Sequence, residues 1–353
     1  MPCRSRGFTH ACVHVCLVLL LGLTLPLARA QAQSAAQASA TEEANRQRFE
    51  ALQNATVGVA VQVIEDAASA RTLGREREGT GVVIAPQGLV LTIGYLVLEA
   101  ESVQLTTRDQ KKIPAQVVAY DAVSGLGLLR PLFSLGDVQP VKLGAAAALD
   151  KGAPLIYITG TAPRQVGAVR LIDNRPFTGF WEYHLEMGLY TAPMVLNHSG
   201  AGLFNLDGDL VGVGNLLMRD VMPEQDPTAL PGNLFVPVDV LAPVFDELLR
   251  TGQNPQAGRP WMGVNATELR GQVRITRVTE GSPAADAGLR AGHWVTAVDG
   301  APVRSLEDFY KKVWAHAAAD GDIRVSVREA GATRVLDVPV RDRSNAIAKP
   351  KGI

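Results

Sequence analysis

Cysteine is almost missing: the 353 residues contain three, Cys3, Cys12 and Cys16, all inside the first sixteen positions. From residue 31 onward there is no thiol to form a disulfide, attack a substrate or hold zinc. Long apolar runs are also lacking. The most extended, Ala11 to Leu25, falls short of the roughly 20 residues that cross a bilayer, so no membrane span is expected after leader cleavage. Neither sign of charge dominates, with 34 basic and 35 acidic side chains, and a nucleic-acid partner is not expected. Gly79-Thr80-Gly81 is followed by neither a lysine nor a helix start, which excludes a phosphate loop. Asp207-Gly208-Asp209 lies between apolar runs and reads as a hairpin turn before it reads as a calcium site. No metal-ligand spacing appears, and no cofactor is expected.

The first thirty residues carry Arg4 and Arg6, the apolar run, and then Ala28-Arg29-Ala30. That is the form of a secretory signal peptide with an A-x-A cleavage site, placing the leader at 1–30. No cysteine directly follows the apolar run, where a lipoprotein would need one. A bacterial periplasm is the simplest destination. The 323 residues after Ala30 carry 31 basic and 35 acidic side chains, enough chain for two or three domains with cores that need no disulfides.

Residues 31–54 read as a flexible Ala/Gln/Ser stalk to Thr41 followed by a short helix to Leu52. Short strand-like runs then follow one another between Gly and Asp turn signals. The first series is Val57 to Val63, Gly81 to Ile84, Leu89 to Thr92, Ser102 to Thr106, Ala115 to Ala119 and Leu126 to Leu129. A second comprises Pro140 to Leu143, Pro154 to Thr159, Gly167 to Ile172, Tyr183 to Met187, Ala201 to Asn205, Leu210 to Asn215 and Asn233 to Val236. Two such series predict a mostly β chain with two six-stranded antiparallel barrels, over 55–251. Asp239 to Thr251 closes this region as a helix with Val240, Val244 and Leu248 on one side and Gly252 as its stop. Residues 252–258 read as a linker. An α+β unit at 259–341 follows, with Ser282-Pro283 starting one helix, Ser305 and Asp308 capping another, and a hairpin turning at Ala330-Gly331. The tail, 342–353, reads as disordered.

The stretch that carries chemistry is Asn197-His198-Ser199-Gly200-Ala201-Gly202. A serine among small residues just before a strand is presented for attack on a carbonyl, but it needs a neighbouring base to take its proton.

Trp261-Met262-Gly263-Val264, the run Ser282 to Gly292, Val298-Asp299-Gly300 and the Ser305 helix resemble a PDZ domain of the bacterial protease type. The resemblance implies that the loop Trp261, Met262, Gly263, Val264 binds a peptide's terminal carboxylate through backbone N–H groups while the peptide adds a strand. His293 stands where that family has aspartate, at a turn away from the groove. The β region in turn resembles the HtrA family of trypsin-like serine proteases, through Gly79 to Ile84, Gly88 to Thr92, the Ser199 segment and Phe235-Val236-Pro237.

In active members the Leu-Thr pair leads into the histidine base; here Leu91-Thr92-Ile93-Gly94-Tyr95 puts Tyr95 in its place. The orienting aspartate position is Gly125, before Leu126-Gly127-Leu128-Leu129. Ser199 remains as the nucleophile, with Asn197 where the oxyanion turn favours glycine; asparagine tolerates the positive φ that such a turn uses. Four histidines follow the leader, His184, His198, His293 and His316. A rearranged dyad would have to draw on His184 or His198.

The leading expectation is a secreted pseudoprotease that binds unfolded or C-terminal peptide segments of envelope proteins as chaperone, adaptor or regulator. The alternatives are a serine endopeptidase using Ser199 with a non-standard base, and a structural platform for the PDZ domain. The resemblance also implies a possible homotrimer.

Overall fold

A computed structural model of the chain describes residues 37–223, 228–256, 258–316 and 321–342. The expected leader and residues 343–353 of the expected tail lie outside that range. The chain divides into two compact units, Met1–Ala51 and Leu52–Ile353. In the first, the described residues are helical from 37 onward (α1), so the expected stalk up to Thr41 is helical in its last five residues. Those five, Gln37 to Thr41, include two alanines and a glutamine, good helix formers that extend the Glu- and Arg-bearing helix after them by one turn.

The second unit holds three β structures. Strands β1 (Thr56–Val63), β2 (Glu76–Val83), β3 (Val90–Ile93), β4 (Ala100–Thr106), β5 (Lys112–Tyr120) and β6 (Leu126–Pro131) close a barrel in the order β1-β2-β3-β6-β5-β4. Short helices α2 (Ala70–Leu73) and α3 (Gly94–Val97) fill its connections. A second closed barrel, β10-β11-β12-β9-β8-β7, consists of β7 (Pro154–Ile158), β8 (Val166–Gly179), β9 (Tyr183–Ala192), β10 (Gly202–Phe204), β11 (Leu210–Met218) and β12 (Gly232–Pro237). Pro140 to Leu143 is not a strand; Leu143 makes one isolated bridge to Leu210.

Phe204, Leu210, Val213 and Val236 of barrel two share one core with Val59, Val82 and Leu91 of barrel one. Burying Phe204 completely contributes about 2–3 kcal/mol by area. Close approach replaces side-chain packing at Gly160, whose N–H donates to Thr80 Oγ1 at 2.8 Å and where a Cβ would strike the Val57 backbone.

The closing helix is shorter than expected. Val238–Val240 and Ala242–Val244 are 3-10 turns, and the α-helix (α4) covers only Phe245–Thr251. Pro243 interrupts the i→i−4 ladder. Gly252 ends it as predicted, at φ +74 with its N–H donating to Leu248 O.

The small β unit contains β13 (Val264–Leu269), β14 (Gln272–Val278), β15 (Trp294–Val298), β16 (Ala301–Pro302), β17 (Ile323–Glu329) and β18 (Ala332–Val338), with helices α5 (Pro283–Asp286) and α6 (Leu306–Ala315). Ser282 and Ser305 cap their helices, accepting from Ala285 N–H and Asp308 N–H. Asp308 returns its bond to Arg304 N–H rather than to Ser305, a capping box shifted by one residue. Asp342, assigned to the disordered tail, instead bridges Pro260. Among the described residues no helix is long and apolar enough to cross a membrane.

Candidate functional site

Ser199 lies on the turn entering β10. Thr80 N–H donates to Ser199 O at 2.8 Å, Gly200 N–H to Gly214 O at 2.8 Å, and Ala201 N–H to His198 O at 2.9 Å. Gly200 takes φ +74, and a Cβ there would collide with Thr80 O. Main-chain bonds and a glycine therefore hold this turn, independently of any side-chain chemistry.

The structure brings Tyr95 to Ser199. Tyr95 Oη donates to Ser199 Oγ at 2.7 Å, and Asn215 O is a second acceptor 3.1 Å away. Burial pushes the Tyr95 pKa up to about 12, against a smaller opposing effect of the serine bond. At neutral pH the phenol is protonated and donates to Ser199; it has no affinity for the serine proton.

Gly125 sits at φ +76, with its carbonyl taken by Gly94 N–H at 2.7 Å. A Cβ on it would stand 3.0 Å from Tyr183 Oη, and Tyr183 itself donates to Ser124 O at 2.5 Å. The space beside the orienter position is thus taken by the Tyr183 ring. Asp121, nearby in sequence, accepts from Val123 N–H and Ser124 Oγ and shapes this turn.

No histidine is hydrogen-bonded to Ser199 among the described residues. His198 Nδ1 lies 3.0 Å from Leu196 O, and burial lowers its pKa. His184 pairs Nδ1 with Thr178 Oγ1 at 2.9 Å, with Nε2 3.7 Å from Glu307 of α6. The rearranged dyad is not formed. Asn197 does not take the positive φ expected of it, since it is not among the left-handed residues. A non-glycine residue reaches that conformation only where surroundings enforce it.

The spacing predicted no metal cluster, yet His184, Glu186 and Glu307 offer ligand atoms within 4.8 Å of one another. His184 and Glu186 share β9, but Glu307 comes from α6, more than a hundred residues on, so the set of three is invisible to sequence spacing. Lys311 Nζ stands 2.9 Å from Glu186 and 2.8 Å from Glu307, so a side-chain ammonium already supplies the positive charge there, and the Glu186 and Lys311 pKa values move apart accordingly.

In the predicted peptide loop, Met262, Gly263 and Val264 direct their N–H groups to one carboxylate, that of Glu182. Trp261 N–H instead donates to Arg341 O at 2.9 Å, leaving three of the four predicted residues in the cradle. Gly263 is at φ +82, and a Cβ there would strike Ser282. The side chains of Met262 and Val264 are in the core of the small unit. Glu182 and Tyr183 were not anticipated as site residues. The available signal was a local excess of aromatics: Phe177, Phe180, Trp181 and Tyr183 fall within seven residues of a chain only 5% aromatic.

Residues 79–213 match the trypsin-like peptidase domain family and 260–340 the PDZ domain family. Among curated proteins the chain is 28% identical to the serine protease PepD of Mycobacterium tuberculosis over 277 residues, 70% of this chain and 58% of that protein. It is 25% identical to a probable periplasmic serine endoprotease DegP-like from Pseudomonas fulva over 253 residues, 65% of this chain and 50% of that one. The chain thus spans between half and three fifths of these relatives. Among solved structures, the HtrA-type protease AlgW with tripeptide aligns at TM-score 0.51 and 17% identity, over 84% of this chain and 96% of that one. The serine endoprotease from Yersinia pestis aligns at TM-score 0.51 and 18% identity, over 84% and 97%. The two successive matches, on two barrels and a capped α+β unit, give the chain a trypsin-like peptidase domain followed by one PDZ domain, an arrangement similar to that of the HtrA-like serine proteases.

Proposed function

We propose that this protein is a pseudoprotease of the cell envelope that binds C-terminal or unfolded peptide segments without cutting them. The observation that carries the reading is the Tyr95–Ser199 hydrogen bond at 2.7 Å. A phenol with a pKa near 12 donates to the serine where a base would have to accept from it. Gly125 adds nothing that could orient a base, and removing base and orienter from serine proteases costs on the order of 10⁵ in rate or more. The peptide-binding half rests on the three N–H groups of Met262, Gly263 and Val264, which converge on a carboxylate as a peptide terminus would require. An envelope location is supported by the leader motif at 1–30 and by relatives named as periplasmic. A chaperone, adaptor or regulatory role follows from binding without cleavage.

The alternative, a serine endopeptidase with a non-standard base, is favoured by one observation: Tyr95 Oη is within proton-transfer distance of Ser199. Digestion of unfolded casein separates the two readings. The pseudoprotease reading expects no difference between the protein and its Ser199→Ala variant. Cleavage that vanishes in the variant would establish the endopeptidase.

A further inference from the structure

The loop that is built to hold a peptide carboxylate already holds one from its own chain. Glu182 connects β8 to β9 and is 2% exposed. Its Oε2 accepts from Met262 N–H at 3.0 Å, and its Oε1 accepts from Gly263 N–H at 2.7 Å and Val264 N–H at 2.8 Å. Two residues earlier, Phe180 O accepts from Ala266 N–H on β13 at 2.9 Å.

These four bonds reproduce the way a peptide adds to a sheet edge, with main-chain pairing upstream and a terminal carboxylate in a nest of consecutive N–H groups. Phe180 stands two positions before the carboxylate-bearing residue, the spacing of an extended ligand. Glu182 is no chain end, however. Its φ of +55, rarely adopted by residues other than glycine, turns the backbone into β9, and the side chain supplies the carboxylate that a terminus would supply. Trp181 stabilises the turn by stacking on Tyr183 at 5.5 Å with the rings 8° from parallel.

We propose that Phe180-Trp181-Glu182 is an intramolecular ligand of the PDZ groove, so that the groove is latent and an external peptide binds by displacing Glu182 with its own terminal carboxylate. This rests on the peptide-binding reading given above and adds how the site is controlled. A free C-terminal carboxylate is essential, since nothing else in a peptide of apolar sequence satisfies three N–H groups at once. An internal segment lacking a carboxylate leaves those donors unpaired and does not displace Glu182, so an unfolded chain enters this groove through its C-terminus. Because a tethered ligand is present at high effective concentration, it weakens the apparent affinity by the fraction of time it vacates the site.

The test uses the purified protein and a fluorescein-labelled decapeptide ending in Phe-Trp-Val, with a free carboxylate or an amide. Fluorescence anisotropy gives affinity, and hydrogen exchange read by mass spectrometry gives protection of residues 262–266. In Glu182→Gln the free-carboxylate peptide is expected to bind about tenfold tighter or more, and the 262–266 segment to exchange faster until peptide is added. Glu182→Asp keeps the charge but is one methylene too short for all three donors; it is expected to fall between the two, and serves if Glu182→Gln fails to fold. Equal affinity in variant and parent, or unchanged exchange at 262–266, would overturn the intramolecular ligand while leaving carboxylate-dependent binding intact. Free and amidated peptides binding alike in every protein would overturn the peptide-binding reading itself, and the latent groove with it.

Discussion

The Ser199 turn and the Met262–Val264 loop are built alike and have fared differently. Each depends on a glycine in the left-handed region, Gly200 at φ +74 and Gly263 at φ +82, that tolerates no Cβ. Each is fixed by backbone bonds and packing that its chemistry does not supply. At the first, the groups that would act on the serine are replaced by a buried phenol and a glycine. At the second, the donors remain and are fully engaged by Glu182. A turn held by its main chain outlasts the loss of its reactive partners, so the presence of Ser199 says little about catalysis, whereas the three converging N–H groups still hold a carboxylate, that of Glu182.

The largest effect that could break this contrast is a restored protease. Tyr95→His with Gly125→Asp reinstates the residue types of a triad but not their space, since the introduced aspartate would need φ near +76 and would meet Tyr183 at its first side-chain atom. The double variant is expected to digest casein no faster than Ser199→Ala, a shortfall on the order of 10⁵ against a working triad. Digestion at a substantial rate would show that only the two side chains were missing.

Next in size are the two glycines. Gly200→Ala and Gly263→Ala are each expected to lower stability by about 2–4 kcal/mol, combining left-handed strain with backbone or Ser282 collision, measured by urea denaturation. A small cost at Gly263 alone would mean that the peptide loop is slack where the serine turn is rigid.

The pH dependence of Tyr95 is smaller. Its folded pKa of about 12 lies above the unfolded value near 10, so the buried neutral phenol contributes stability in full below pH 10 and loses it as pH rises towards 12. Relative to Tyr95→Phe, the parent is expected to lose about 1–2 kcal/mol between pH 9 and 12. Parallel profiles would mean that the ring is not held in its neutral form. Smallest is Lys311→Met, which removes the partly exposed pairs to Glu186 and Glu307 and is expected to cost less than about 1 kcal/mol.

Much of this was legible in the chain. Short apolar runs such as Val57 to Val63 and Leu210 to Asn215 locate barrel strands because they are bounded by turn signals and buried along most or all of their length. Ser282-Pro283, Ser305 and Gly252 mark helix ends through local hydrogen bonding, which needs no tertiary partner. The distance of Tyr95 from Leu91-Thr92 singled it out in the sequence, and the structure sets its Oη 2.7 Å from Ser199 Oγ. What sequence could not show was contact across the fold: Tyr183 over Gly125, 58 positions away, and Glu182 under Gly263, 81 positions away. Both come from one hairpin end, whose aromatic clustering marked it as unusual without saying what it touched. The extent of the closing helix failed for a local reason, Pro243, that the apolar spacing masked.

The central claim, that Ser199 has no base, is tested most directly by a fluorophosphonate probe, which reacts covalently with an activated serine and ignores an unactivated one. With the parent protein and Ser199→Ala incubated side by side from pH 6 to 9, the account predicts equal and background labelling throughout. Stoichiometric labelling of the parent that is absent from Ser199→Ala would contradict it.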